Sequence, residues 1–201
     1  MNIHFAGTEL AALIVATSFA AGLNVYATIA TLGLLSRAGL LNLPGALHPV
    51  ANWWVVGACL VLFAVEFFAD KIPAFDLVWN ALHTFVRVPL AAILAFGATS
   101  SLSPQLQLIS ALAGAAIAFA AHGGKTAVRA AITPSPEPVS NILLSAGEDV
   151  VAVCLTWFAT RHPYASAAIA TVMVVVIVLL ARWIVQALRN LFRRAEAVVS
   201  S

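Results

Sequence analysis

The sequence predicts an all-α polytopic membrane protein of about six transmembrane helices, with two polar cytoplasmic hairpin connections and hints of an internal duplication. Three observations predict it. Of 201 residues, 62% are hydrophobic and only 9% charged, with a mean hydropathy of +1.00, whereas soluble domains carry about 25% charged residues. Apolar runs recur at a length near the roughly 20 helical residues that a hydrocarbon core of about 30 Å requires. The runs lack the period-two alternation of an outer-membrane barrel, and helices are the other way to satisfy amides in lipid.

Span one covers about residues 10–35, span two 53–70, span three 86–101, span four 105–122, span five 141–160 and span six 164–188. The leading MNIHFAGTEL has no basic n-region and no small-residue cleavage site, so it is not read as a cleaved signal peptide. In the middle of span one, Asn24 follows Gly22. Asn24 suits an interhelical hydrogen bond, and Gly22 also permits a local break of the kind that forms ion sites at the bilayer midplane. The stretch SRAGLLNLPGALHPVAN is expected to lie along the outer interface, and Trp53 and Trp54 then anchor the start of span two. Spans three and five are short unless their polar N-terminal stretches are counted. SSLSPQ links spans three and four, and the prolines of TPSPEP force a bend after span four.

Basic residues orient the chain. With a cytoplasmic N-terminus, Lys71, Arg87, Lys125, Arg129, Arg189, Arg193 and Arg194 fall at the cytoplasmic face and Arg182 in the last span's inner half, leaving only Arg37 and Arg161 outside. The positive-inside rule therefore places both termini in the cytoplasm. A net charge of +2 says little more about partners and gives no sign of nucleic-acid binding; the arginines of 189–194 are a weak signal for anionic head groups. Cys59 and Cys154 lie in apolar spans without CxxC spacing and read as small core residues.

Two polar stripes interrupt this apolar chain. Glu66, Asp70, Asp76, Asn80, His83 and Arg87 are spaced by four, six, four, three and four residues, on one helical face either side of Pro73. His122, Lys125 and Arg129, and then Asn141, Ser145 and Glu148, repeat the pattern around TPSPEP. Ionisable residues in a membrane are costly and face an interior, a partner or a water-filled cavity. Cross-pairing is expected, Glu66 or Asp70 with Lys125 or Arg129, and Arg87 with Glu148 or Asp149, because pairing makes buried charge tolerable.

Plainer readings stand beside this one. Glu66 and Asp70 could be solvated carboxylates at a helix end. The 76–87 stripe could be the polar side of a helix lying on the membrane surface. Glu148 and Asp149 could stabilise the N-terminal dipole of span five. His83 and His122 lack HxxxH spacing, so hydrogen-bonded histidines are favoured over metal ligands. GGKT resembles the end of a phosphate loop, but Phe119 stands where the first glycine belongs and no strand precedes it. The two polar connections, each opening on a lysine, also suggest half-repeats over 8–101 and 104–190 of a single membrane domain, parallel or inverted.

EFFADKIPAFDLVWNALHTFVRVP, HGGKTAVR, SPEPVSN and SAGEDV together resemble the bacterial integral membrane family catalogued as domain of unknown function 4126. The resemblance covers about residues 8–165. It carries an E-x3-DK-x-P-x2-D block onto Glu66, Asp70, Lys71, Pro73 and Asp76, and a histidine-threonine and arginine-proline block onto His83, Thr84 and Arg87. An H-x2-K-x3-R block falls on His122, Lys125 and Arg129, and a terminal ED on Glu148 and Asp149. Val88 departs by separating Arg87 from Pro89, as does Asn80, where an acid is expected. The resemblance implies a multi-pass protein of the bacterial inner (plasma) membrane with a polar core; the family carries no settled activity.

Three classes of function remain. A small transporter or channel for an ion or small polar solute would use Glu66, Asp70, Asp76, Glu148, Asp149 and Asn24 as ligands or proton carriers, His83 and His122 to tune the step, and Arg87, Lys125 and Arg129 as counter-charges. A membrane scaffold or assembly factor would use the same charges only to hold helices together. A lipid-modifying enzyme is disfavoured, since no HExxH and no nucleophile-base arrangement is legible. No cofactor, metal or catalytic residue is assigned; the lipid bilayer is the expected partner, and a homo-oligomer is compatible with the sequence.

Overall fold

The computed structural model of the chain describes residues 7–70, 72–132 and 138–199, with side chains described for 7–70, 72, 78–128, 142–186 and 189. Among these residues there are seven α-helices, one 3₁₀ helix and no strand: α1 (Gly7–Leu23), α2 (Val25–Arg37), the 3₁₀ helix (Gly45–Ala51), α3 (Trp53–Ala69), α4 (Pro73–Ala98), α5 (Pro104–Ile132), α6 (Pro138–Arg161) and α7 (Pro163–Val199). The expectations for Lys71 and for the bend at residues 133–137 fall outside the described residues.

Local chemistry sets the helix ends. The last four helices each begin at a proline, whose missing amide has no helical partner in the first turn anyway. The Asn52 side chain caps α3 by accepting from the Trp54 amide at 2.9 Å. After α2, Gly39 takes φ +68°, and the amides of Leu40 and Gly39 close back onto the carbonyls of Leu35 and Ser36. That pair of bonds is a Schellman stop, which needs the left-handed backbone glycine allows.

Segments of α4 (Val78–Ala98), α5 (Pro104–Val128), α6 (Ile142–Arg161) and α7 (Pro163–Gln186) are long and apolar enough to cross a membrane, and α3 with the preceding 3₁₀ helix, bent by 59°, makes a fifth. The sixth expected crossing, span one, takes a different form. The chain breaks at Asn24, and α2 returns toward the end from which α1 entered. Thr8, at the start of α1, bonds Tyr164 at the start of α7. Leu13 and Ala16 cluster with Ala159 near the end of α6, while Asn24 reaches Asp149 near that helix's middle. Leu10 of α1 and Leu32 of α2 line one cavity of about 330 Å³ together with Leu47, Leu94 and Ala98. In an unbroken helix of 1.5 Å rise per residue, positions 10 and 32 would stand about 33 Å apart. The segment is thus a re-entrant hairpin whose tip, Leu23-Asn24-Val25, lies inside the bundle.

This hairpin alters two expectations. It places Gly7 and the far end of α7 at opposite ends of the bundle, not on one side, because α1 and α2 together do not cross. It also separates the two halves of the chain, since α5, the helix that would answer to span one in a repeat, runs unbroken. The stretch before α3 packs its leucines onto the bundle. Its Leu41, Leu43 and Leu47 are buried in the core that includes α2 and α4 residues.

Small residues let the helices close around the hairpin. A β-carbon on Gly22 would lie 2.5 Å from the Ala118 carbonyl, and one on Gly114 would lie 2.8 Å from Ala95. Membrane helices approach most closely on such small-residue faces. By contrast, α7 buries only Ser166 and Ala170 among its described residues. Cys59 is buried, Cys154 is exposed, and both are free thiols.

Tags fused at the two termini of the membrane-inserted chain are expected to be reached from opposite sides in an impermeant labelling assay. Labelling of both from one side would rule out the hairpin.

Candidate functional site

The hairpin tip positions the site. Asn24 has extended backbone angles (φ −151°, ψ 103°) and caps α2, its side-chain oxygen accepting from the Ala27 amide at 2.9 Å. In a continuous helix that amide would go to the Leu23 carbonyl. The released carbonyls turn instead to cations: Lys125 Nζ donates to Leu23 O at 3.3 Å and Arg87 Nη1 to Gly22 O at 3.5 Å. On the other side, Asn24 Nδ2 donates to Asp149 Oδ1 at 2.9 Å. The negative end of the α1 dipole thus meets two cations, and the positive end of α2 meets a carboxylate, the favourable arrangement at both termini.

Four further helices bring side chains to this tip. Arg87 of α4 forms an ion pair through Nη2 with Glu66 Oε1 of α3. Lys125 of α5 lies 3.1 Å from Asp70 Oδ2, 3.5 Å from Glu66 Oε1 and 3.3 Å from Glu148 Oε2 of α6. Glu66, Asp70 and Arg87 have no exposed surface, and Lys125 is buried. The pairing of Glu66 and Asp70 with Lys125 follows the sequence expectation. Arg87 differs, since it joins Glu66 while Glu148 goes to Lys125 and Asp149 to Asn24.

The histidines are held by ordinary hydrogen bonds. Arg87 Nη1 donates to His122 Nδ1 at 2.8 Å, so that nitrogen is an acceptor and the ring proton sits on Nε2. Nε2 lies 2.9 Å from both the Asn80 carbonyl and Thr84 Oγ1. His83 bonds the Trp79 carbonyl through Nδ1 at 2.8 Å and Tyr26 Oη through Nε2 at 3.1 Å, and it stacks on Trp79. Among the described residues, no trio of His, Cys, Asp or Glu is arranged to hold a metal ion.

The structure therefore gathers Asn24, Glu66, Asp70, Arg87, His122, Lys125, Glu148 and Asp149 around one centre, with His83 joined to the hairpin through Tyr26. The side chains of Asp76, Arg129 and Asn141 lie outside the described residues. Glu66 and Asp70 are not solvated helix-end carboxylates, because both are fully buried, and Asn80, His83 and Arg87 do not face water from a surface helix. Glu148 and Asp149 sit three turns into α6, past the reach of its N-terminal dipole. Sequence reasoning missed Tyr26 and the Gly22 and Leu23 carbonyls. Tyr26, a hydroxyl two residues beyond Asn24 in an apolar run, was the available signal.

Four carboxylates, Glu66, Asp70, Glu148 and Asp149, surround two cations, Arg87 and Lys125. Fully ionised, that set carries a surplus of negative charge, which a low-dielectric interior resists unless a proton or cation offsets it. Several atoms are buried without a hydrogen-bond partner among the described residues: Glu66 Oε2, Arg87 Nε, Ser145 Oγ and Asp149 Oδ2. Ser145 and Asp149 stand one turn apart on α6, so the two orphan oxygens belong to the same helix face.

Two sets of variants test this geometry. Arg87→Met leaves the Glu66 carboxylate only its longer contact with Lys125 and is expected to cost about 3 kcal/mol in stability, with adding Glu66→Gln recovering part of it; equal loss in the single and double variants, read by thermal unfolding in detergent, would contradict the pairing. Asn24→Ala removes a helix cap worth about 1 kcal/mol and the bond to Asp149, so its melting temperature should fall, and an unchanged value would deny the cap its role.

No curated protein and no solved structure matches the chain. A family does match, over residues 11–183, a range that includes the hairpin tip, the ion pairs, α3 to α6 and the first part of α7. The chain accordingly belongs to the family described as Domain of unknown function (DUF4126).

Proposed function

We propose that this protein is a small transporter or channel that passes protons or a small monovalent cation through the charged centre. The observation that carries the reading is the re-entrant tip. A helix broken inside the bundle sets opposed dipole ends against a buried cluster with more carboxylates than cations among its described residues. Discontinuous helices of this kind form ion and substrate sites in membrane transporters. Glu66 and Asp149, each with one oxygen lacking a partner among the described residues, are the proton or cation carriers. Arg87 and Lys125 are the fixed counter-charges, and Asn24 couples Asp149 to the hairpin.

The distribution of basic residues supports an inner-membrane orientation with the carboxyl-terminal end cytoplasmic. Lys125, Arg182 and Arg189 fall toward that end, while Arg37 and Arg161 fall at the end that holds Thr8 and Tyr164.

A second reading, a scaffold whose charges are purely structural, is favoured by a different observation: Arg87 and Lys125 each already have a carboxylate partner, and both histidines are bonded at both nitrogens.

The purified protein in proteoliposomes separates the two. Wild type is expected to collapse an imposed pH or sodium gradient, and Glu66→Gln or Asp149→Asn to abolish that flux while the protein still elutes as a folded species in detergent. No flux from wild type across a panel of monovalent ions, with either single change unfolding the protein, would overturn transport in favour of the scaffold.

A further inference from the structure

The face of α5 turned away from the charge cluster borders a second feature. An apolar groove of about 520 Å³ runs between α5 and α7, bounded by Phe119, Gly123 and Gly124 on one side and Ile177, Ala181 and Ile184 on the other. The glycines shape it. A β-carbon on Gly124 would come within 2.8 Å of Ile177, whereas one on Gly123 would meet no atom within 4 Å, so Gly123 faces open groove.

Ala181 also lines the adjoining depression, of about 340 Å³, formed with Arg182, Val185, Gln186 and Arg189. The apolar groove thus runs directly into a basic patch. Arg182, Gln186 and Arg189 are spaced by four and three residues and share one face of α7, at the end of its apolar segment Pro163–Gln186. Both arginines are exposed, and neither forms a salt bridge among the described residues.

We infer that this composite surface binds one anionic phospholipid, an acyl chain lying in the groove over Gly123 and the phosphate held by Arg182 and Arg189. The groove walls offer no hydrogen-bonding side chain, which suits a hydrocarbon chain and not a polar solute. Guanidinium groups match phosphate oxygens in fork geometry, and basic pockets between membrane helices at one face recognise anionic head groups. A second copy of the chain would leave the two arginines facing arginines of its partner across a symmetric contact, whereas an anionic lipid neutralises them.

Native mass spectrometry of the full chain in detergent, with added phosphatidylglycerol or phosphatidylcholine of the same acyl composition, tests this. Wild type is expected to retain phosphatidylglycerol in preference. Arg182→Ala and Arg189→Ala should each weaken that retention about fivefold, the ratio expected for loss of one basic residue at a charged surface. Gly123→Leu should weaken retention of both lipids, with Ala127→Leu serving if the first variant does not fold, while Arg161→Ala at the other end of the bundle changes nothing. Equal retention of the two lipids by wild type, retention unaffected by the arginine changes, or a dimer that phosphatidylglycerol does not disperse would overturn the inference.

Discussion

A helix that stops inside a membrane protein leaves backbone groups that lipid cannot satisfy, and the break at Asn24 imposes that constraint on everything around it. The Asn24 side chain takes one amide at the start of α2, and the cations Arg87 and Lys125 take two carbonyls at the end of α1. Those cations are buried, so they in turn require carboxylates, which arrive from α3 and α6. The small residues at Gly22, Gly114 and Ala118 follow from the same demand, since long charged side chains reach the tip only where helices pack closely. One break in a helix thus accounts for the buried ion pairs that α3, α4, α5 and α6 bring to the centre.

The partners are distributed unequally. Lys125 has three carboxylates within ion-pair distance, while Asp149 has an amide. A centre built only to cancel charge would match acids to bases one for one, and this one does not among its described residues.

Much of this was legible in the sequence. Residues of the two stripes sit where a helical period puts them, and the pairing of Glu66 and Asp70 with Lys125 follows from the need of buried charges for partners. The hairpin was not. Residues 10–35 read as one crossing because hydropathy averages over a window, and a single Asn in an apolar run lowers that average too little to register. Gly22 and Asn24 allow either an unbroken helix with a polar contact or a broken one. The choice is made by Arg87, Lys125 and Asp149, which lie far along the chain and whose arrival at Asn24 is a tertiary fact. The partner of Arg87 escaped for a related reason: spacing places a side chain on a face, but not at a depth, and Glu66 matches Arg87 in depth better than Glu148 does.

The hairpin also bears on the order in which the bundle can be assembled. Its tip is the earliest of the central elements to be synthesised, yet each group that satisfies it comes later, Arg87 from α4, Lys125 from α5 and Asp149 from α6. Until α4 and α5 are in place the Gly22 and Leu23 carbonyls lack these partners, and until α6 is in place so does the Asn24 side-chain amide, so the bilayer is a poor resting place for the tip alone. The hairpin is therefore made before the helices that carry its partners and can settle only once they are there.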